Sequence, residues 1–302
     1  MPKVVILGAG AIGQLLYWQL QPLTPQLLGR RPTPPRISYQ HLNGHIEHQA
    51  PRYLQLTQGI DADTDLLIVS VKAHQVTDAL LPLLPELPSH CAILLLHNGM
   101  GPHLDVAAHT GTRPLLLGTT SQGALRQKLW FVRHTGHGIT HIGQYTGVPL
   151  SQTIRHSLLR TLPDCHWQQD ILTALWQKLA VNCAINPLTA LHQCPNGALA
   201  AAEFQQQIIG IISELQQVAA AEGQHVKQNE LLARINQVIN LTANNQSSML
   251  QDCRHHRQTE INAINGYVVV RAAAHGLTAP LNHDLVQRIL ALSPSSEQFL
   301  GH

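Results

Sequence analysis

Lys178, Asn182 and Asn186 are spaced by four, so on a helix they line up as one polar ridge. A cation followed turn by turn by amides can hydrogen-bond the oxygens of a small acid and hand a proton to one of them. The surrounding stretch from Ile171 to about Leu191 supports the helix: Leu172, Leu175, Leu179 and Cys183 recur at i, i+3, i+7 and i+11 as its core face. Asn is a poor helix former, and Pro187 removes a backbone donor. A ridge kept despite those costs suits a face that meets a polar ligand. A solvated face low in charge is the plainer alternative.

A second chemical signature stands at the start of the chain. Gly8-Ala9-Gly10-Ala11-Ile12-Gly13 follows the apolar run Val4-Val5-Ile6-Leu7 and precedes a helical segment, Gln14 to Leu20. This is G-x-G-x-x-G in the setting that gives it meaning, strand to tight turn to helix. Gly8 permits the turn, Gly10 lets the backbone approach a pyrophosphate, and Gly13 allows close packing of helix on strand. The helix N-terminus then presents N–H groups to phosphate. A second strand, Gln26 to Gly29, ends at Arg30-Arg31, and no acidic residue occurs before Glu47. An acid there would grip the ribose of NAD, whereas arginine accommodates the 2′-phosphate of NADP. The spacing therefore predicts NADPH.

These groups need a scaffold. Leu66 to Val71, Ala92 to Leu96 and Leu115 to Leu117 are further apolar strands, with a helix Gln75 to Leu84 between the first two. Alternation of strand and helix means a parallel sheet with its ligands at the carboxyl ends of the strands. Lys72, Asn98 and the turn Thr119 to Ala124 fall at that edge. Lys72 is equally consistent with a solvated cap, and Asn98 with a turn former. Residues 37 to 60 suggest short polar strands. Leu129 to Val132 and Gly138 to Ile142 read as antiparallel strands, followed by a polar helix from Gly143 to Leu162 and a last strand near Cys165-His166-Trp167. His134, His137 and His141 lack a Cys or carboxylate partner and read as surface histidines, so no metal is expected.

Beyond residue 169 the pattern is helical, with helices expected at Glu203 to Glu222, Glu230 to Leu241 and Ser248 to His275. Ser247 or Ser248 suits the N-cap of the last. Glu260 would lie mid-helix, pairing with Arg257 or reaching a cleft. On a straight helix it is about 18 Å from Ser248, too far for one small acid to bridge both. Asn265-Gly266 is expected to relax packing without ending that helix. The expectation is a Rossmann-type α/β domain over residues 1–168 and an all-α substrate domain over 169–302.

The chain has 302 residues, of which 44% are hydrophobic and 12% charged, with a net charge of +2. No basic block or aromatic-rich surface is present to bind nucleic acid, and no apolar run approaches membrane-spanning length. Cys91, Cys165, Cys183, Cys194 and Cys253 are odd in number and never C-x-x-C, which fits a reduced, cytoplasmic chain. The sequence leaves a monomer and a homodimer both open.

Several stretches resemble the ketopantoate reductase (2-dehydropantoate 2-reductase) family. They are Leu96-His97-Asn98-Gly99-Met100-Gly101, Lys178 to Ala190, Cys194-Pro195-Asn196-Gly197, Ser247 to Asp252, and Thr259-Glu260-Ile261. The likeness extends over nearly the whole chain in order. It implies NADPH-dependent reduction of 2-dehydropantoate to (R)-pantoate, a step towards pantothenate and coenzyme A. It implies that Lys178 is the proton donor and that Asn182, Asn186, Asn196 and Ser248 also touch substrate. Gly8, Ala9, Gly10, Ala11, Ile12, Gly13, Arg31, Lys72, Asn98, Ala124 and Glu260 would contact cofactor, with Arg30 able to replace Arg31. Glu260 could instead orient Lys178. Leu125 and Ala198 depart from the residues usual in relatives, Arg and Glu. A reductase of another small 2-keto acid and a non-catalytic NADP-binding sensor are the alternatives.

Overall fold

The computed structural model describes residues 1–292, and the chain divides into two compact units. Among the described residues, one comprises 1–97 and 102–171, the other 98–101 and 172–292.

In the first unit the order is β1 (Val4–Leu7), α1 (Ala11–Gln19), β2 (Gln26–Gly29), β3 (Ile37–Gln40), β4 (Ile46–Gln49), β5 (Tyr53–Gln55), β6 (Leu66–Val69) and α2 (Val76–Leu80). Then come β7 (Ala92–Leu95), α3 (Pro102–Ala107), β8 (Leu115–Thr120), β9 (Gly123–Lys128), β10 (Phe131–Gly136), β11 (Thr140–Thr146), α4 (Gln152–Thr161) and β12 (Cys165–Trp167). Among the described residues, eight strands form a sheet in the order β12-β11-β8-β7-β6-β1-β2-β5. Every neighbouring pair is parallel except β11 with β8. β1, β6 and β7 are buried at every position. That is why they read as unbroken apolar runs: a strand covered on both faces has no polar side to alternate with. Leu16, Tyr17 and Leu20 of α1 and its C-cap pack with Ile6, Leu27 and Ile68 in the core.

A second sheet of four strands, β4-β3-β10-β9, lies in the same unit. It corrects the sequence reading in two places. The expected turn from Thr119 to Ala124 is the end of β8 and the start of β9. The expected strand pair around Trp130 to Ile142 is divided, because β10 pairs with β9 and β3 whereas β11 pairs with β8. The helix expected from Gly143 begins only at Gln152, because β11 extends to Thr146. β11 carries His141, whose ring meets Gln168, whereas His134 of β10 lies beside Tyr39 and His137. Among the described residues no group of three or more His, Cys, Asp or Glu could hold a metal ion.

The second unit contains α5 (Ile171–His192), α6 (Ala202–Ala221), α7 (Gln228–Leu241), α8 (Ser248–Arg254), α9 (Asn265–Ala274) and α10 (Pro280–Leu292). α5 is buried without interruption from Cys183 to Ala190, so its C-terminal half is an enclosed helix, not an amphipathic surface one. The long helix expected from Ser248 to His275 is two helices. α8 stops after Arg254; the N–H of its C-cap, His255, turns back onto Gln251 and Asp252, and His256 takes φ +51°. A left-handed residue ends a helix, and the polar run Arg254-His255-His256-Arg257-Gln258 offers no apolar face to continue one. A short turn of 3-10 helix, Ile261–Ala263, then leads into α9. Glu260 is therefore not mid-helix, and the straight-helix distance to Ser248 does not apply. α10 was not anticipated, although Leu285, Val286 and Ile289 give it a buried stripe.

Candidate active site

Glycine shapes the first unit's candidate site. Gly8 has φ +108°, and a Cβ there would press on Val71. Its N–H donates to Leu28 O at 3.1 Å, which ties the turn to β2. A Cβ on Gly13 would overlap the Gly8 carbonyl and crowd Ser70 Oγ. Ser70 Oγ itself donates to Gly8 O at 3.1 Å. Gln14, fully buried, donates through Nε2 to Ala9 O at 2.9 Å and to Leu129 O at 3.0 Å. Gly10 differs from its neighbours: as N-cap of α1 it would carry a Cβ with nothing within 4 Å. No side chain caps α1, and its first turn holds no acidic residue. The end of α1 thus has uncapped N–H groups, a positive dipole end and open space at Gly10. Those features fit the pyrophosphate of a dinucleotide.

Ala9, Ala11 and Ile12 are partly buried in this loop. Arg30 and Arg31 are exposed after β2. Lys72 is partly buried and precedes the turn Ala73–Gln75. Ala124, also partly buried, lies in β9 opposite His134.

The second unit brings together residues from three distant stretches. Lys178 Nζ donates to Asn98 Oδ1 at 3.0 Å. Asn98 Nδ2 donates to Glu260 Oε2 at 3.2 Å. The Asn98 amide thus presents its oxygen to the cation and its nitrogen to the carboxylate, the only orientation that serves both. The backbone continues the tie, since Met100 N donates to Ala263 O at 2.7 Å. Gly99, at φ +78°, lies so close to the Ala263 carbonyl that a Cβ would overlap it. Desolvation lowers the Lys178 pKa from its ordinary 10.5 to about 8, and the Glu260 charge opposes that fall. Lysine in this setting remains largely protonated at neutral pH but gives up its proton far more readily than a surface lysine. Arg257, an alternative partner for Glu260 in the sequence reading, pairs with Asp252 at 3.0 Å.

On the ridge of α5, Asn182 is partly buried and Asn186 buried. Asn196 is buried as well. Its Nδ2 donates to Thr242 Oγ1 at 2.9 Å, while its Oδ1 is buried without a hydrogen-bond partner. Between the two candidate caps of α8 the structure selects Ser247, whose Oγ accepts from Leu250 N at 3.1 Å and from Thr189 Oγ1 at 2.7 Å. Ser248 is the first residue of α8 and is exposed. The residues alone do not announce that Asn98 links Lys178 to Glu260, because 80 and 162 residues separate the hydrogen-bonded partners.

Comparison with known proteins identifies the family. Residues 4–147 match the family model "Ketopantoate reductase PanE/ApbA", and residues 170–293 match its C-terminal counterpart. A 2-dehydropantoate 2-reductase of Vibrio cholerae is 40% identical, covering 97% of this chain and 98% of the relative. One from Escherichia coli O157:H7 is 40% identical, covering 95% and 94%. Among solved structures, a probable 2-dehydropantoate 2-reductase from Bacillus subtilis superposes with a TM-score of 0.83 at 28% identity, covering 96% of this chain and all of that one. A D-mandelate dehydrogenase, solved with NADH and anilino(oxo)acetate, shares the fold with a TM-score of 0.87 at 21% identity, over 96% and 98% of the two chains. The chain belongs to the ketopantoate reductase family of dinucleotide-binding oxidoreductases.

Proposed function

We propose that this chain reduces 2-dehydropantoate to (R)-pantoate with NADPH, a cytoplasmic step towards pantothenate and coenzyme A. The observation that carries the reading is the hydrogen-bonded series Lys178–Asn98–Glu260, with the Lys178 pKa lowered to about 8. Reduction of a 2-keto acid needs a hydride at C2, a proton for the developing alkoxide and a grip on the carboxylate. Bound NADPH supplies the hydride. Protonated Lys178 stabilises the negative charge growing on the keto oxygen and then donates its proton there. Asn98 holds the ammonium, and Glu260 keeps enough protonated lysine at working pH by raising its pKa. Asn182 and Asn186, one and two turns along α5, hydrogen-bond substrate oxygens without adding charge. Asn196 Oδ1 is suited to accept from a substrate hydroxyl, since a buried carbonyl left unpaired is costly. Ser248 supplies a further hydroxyl.

For the cofactor, Gly8 to Gly13 receive the pyrophosphate and Arg31, or Arg30, the 2′-phosphate. Lys72 and Ala124 complete the contacts assigned to it, with Asn98 and Glu260 serving the nicotinamide end as well. The decisive experiment follows NADPH absorbance on addition of 2-dehydropantoate, beside a panel of other 2-keto acids and with NADH in parallel. Fastest turnover with 2-dehydropantoate and NADPH is the expected result. Faster turnover of another keto acid would assign the chain to that acid, a reading the likeness to D-mandelate dehydrogenase keeps in view. NADPH left unoxidised by every acid would identify an NADP-binding sensor.

A further inference from the structure

Pro187 lies inside α5 and has no N–H, so the carbonyl four residues earlier, that of Cys183, loses its helical donor. Cys183 is fully buried, and water cannot replace the missing bond. Asn265 replaces it. The Asn265 side chain, also fully buried, donates through Nδ2 to Cys183 O at 3.1 Å.

The amide's orientation is dictated from behind. Glu214 accepts from Asn282 Nδ2 at 2.8 Å and from the backbone N–H groups of Leu281 and Asn282. Asn282 Nδ2 also donates to Ile211 O, so Asn282 Oδ1 faces the other way and accepts from Asn265 Nδ2 at 2.9 Å. Both hydrogens of Asn265 are thereby used, while its own Oδ1 is buried with no partner. An apolar residue would avoid that unpaired oxygen. What an amide adds at this position is the donor.

The location matters for the chemistry. Cys183 follows Asn182 directly and stands three residues before Asn186, on the helix that carries Lys178. Asn265 stands five residues after Glu260, in the segment whose Ala263 carbonyl accepts from Met100 N. The geometry points to Asn265 as a positioning residue: by supplying the donor that Pro187 lacks, it sets the register of the α5 ridge against the segment bearing Glu260, to which Asn98 is hydrogen-bonded. This inference rests on the proposed reduction for its kinetic consequence, and on the hydrogen bonds alone for its structural one.

A double-mutant cycle between Asn265 and Pro187 tests it. In Asn265→Ala, kcat for 2-dehydropantoate should fall about tenfold or more with KM for NADPH unchanged, the size expected when reacting groups shift slightly. In Pro187→Ala, residue 187 regains an N–H for the Cys183 carbonyl, so adding Asn265→Ala should cost much less activity and a smaller loss of urea midpoint. Rescue is partial, because Asn282 Oδ1 loses its donor in both backgrounds. Should Pro187→Ala fold poorly, Pro187→Ser restores the same N–H. Equal losses in both backgrounds would overturn the proposal, as would an Asn265→Ala enzyme with wild-type kcat and only a lowered melting temperature. Absence of wild-type turnover would refute the functional reading instead, and the urea midpoints, which need no substrate, would still decide the role of Asn265.

Discussion

The two units offer a ligand different materials. In the first, the candidate site is almost wholly backbone: an uncapped helix end, a turn at Gly8, and a bare Gly10. In the second it is side chains, a desolvated lysine held by an amide that is held by a carboxylate. A backbone site works by leaving atoms out, and its parts adjoin in sequence. A side-chain site carries charge into protein, which costs stability, and must gather supporting groups from wherever the fold brings them.

That contrast predicts unequal responses to mutation. Lys178→Ala should lower turnover about a hundredfold to ten-thousandfold, the usual range for a general acid, while dinucleotide affinity measured by fluorescence titration is unchanged. The lysine's folded pKa lies below its ordinary value, so the folded state resists protonation. Its contribution to stability is unfavourable below about pH 8 and is relieved as pH rises from there towards 10.5. Removing both charges at once, in Lys178→Met with Glu260→Gln, leaves neither buried alone and should therefore melt at a higher temperature than wild type at neutral pH, even as activity disappears. A lower melting temperature would contradict the contrast between the units.

The next effect lies in the first unit. Arg31→Ala, or Arg30→Ala if that residue holds the phosphate, should weaken NADPH about tenfold to a hundredfold, the worth of a charge-assisted hydrogen bond, and leave NADH unaffected. Equal losses for both cofactors would refute the 2′-phosphate assignment. Two glycine variants then separate shape from contact. Gly10→Ala meets no neighbour and should keep the melting temperature while losing roughly tenfold in dinucleotide affinity, about 1.4 kcal/mol. Gly13→Ala, aimed at the Gly8 carbonyl, should instead lower the melting temperature. The mildest change is Glu260→Gln. With Lys178 as the proposed proton donor, reduction should decline as pH rises through its pKa of about 8, and loss of the Glu260 charge should move that decline to lower pH. An unmoved pH profile would mean that Glu260 does not act on Lys178.

Legibility in the sequence follows the same division. β1, the glycine loop and α1 form one continuous stretch whose buried strand and spaced glycines have local causes, so they could be read directly. The ridge on α5 was readable for the same reason. β4 escaped definition because three of its four residues are exposed and it shows no apolar face. β9 was missed because its run Gly123–Lys128 is only partly covered or exposed throughout. The break between α8 and α9 depends on His256 taking a left-handed backbone, a conformation no histidine announces. The role of Asn98 beside Lys178 depends on tertiary contacts, and only resemblance to a family suggested both residues together. Pro187 carries one further signal: a proline within a buried helix leaves a carbonyl whose partner must lie elsewhere.

The end of β2 bears on how this enzyme could change its coenzyme. Enzymes that prefer NAD place an acid near the end of this strand. Here Gly29 has no room for a Cβ, because one would run into the hydroxyl of Tyr53. That ring stands perpendicular to Trp130, with ring centroids 5.5 Å apart. Aspartate at position 29 would have to displace the Tyr53 hydroxyl. Positions 30 and 31 are exposed, and on the proposed NADPH reading an acid placed at either would also remove an arginine assigned to the 2′-phosphate.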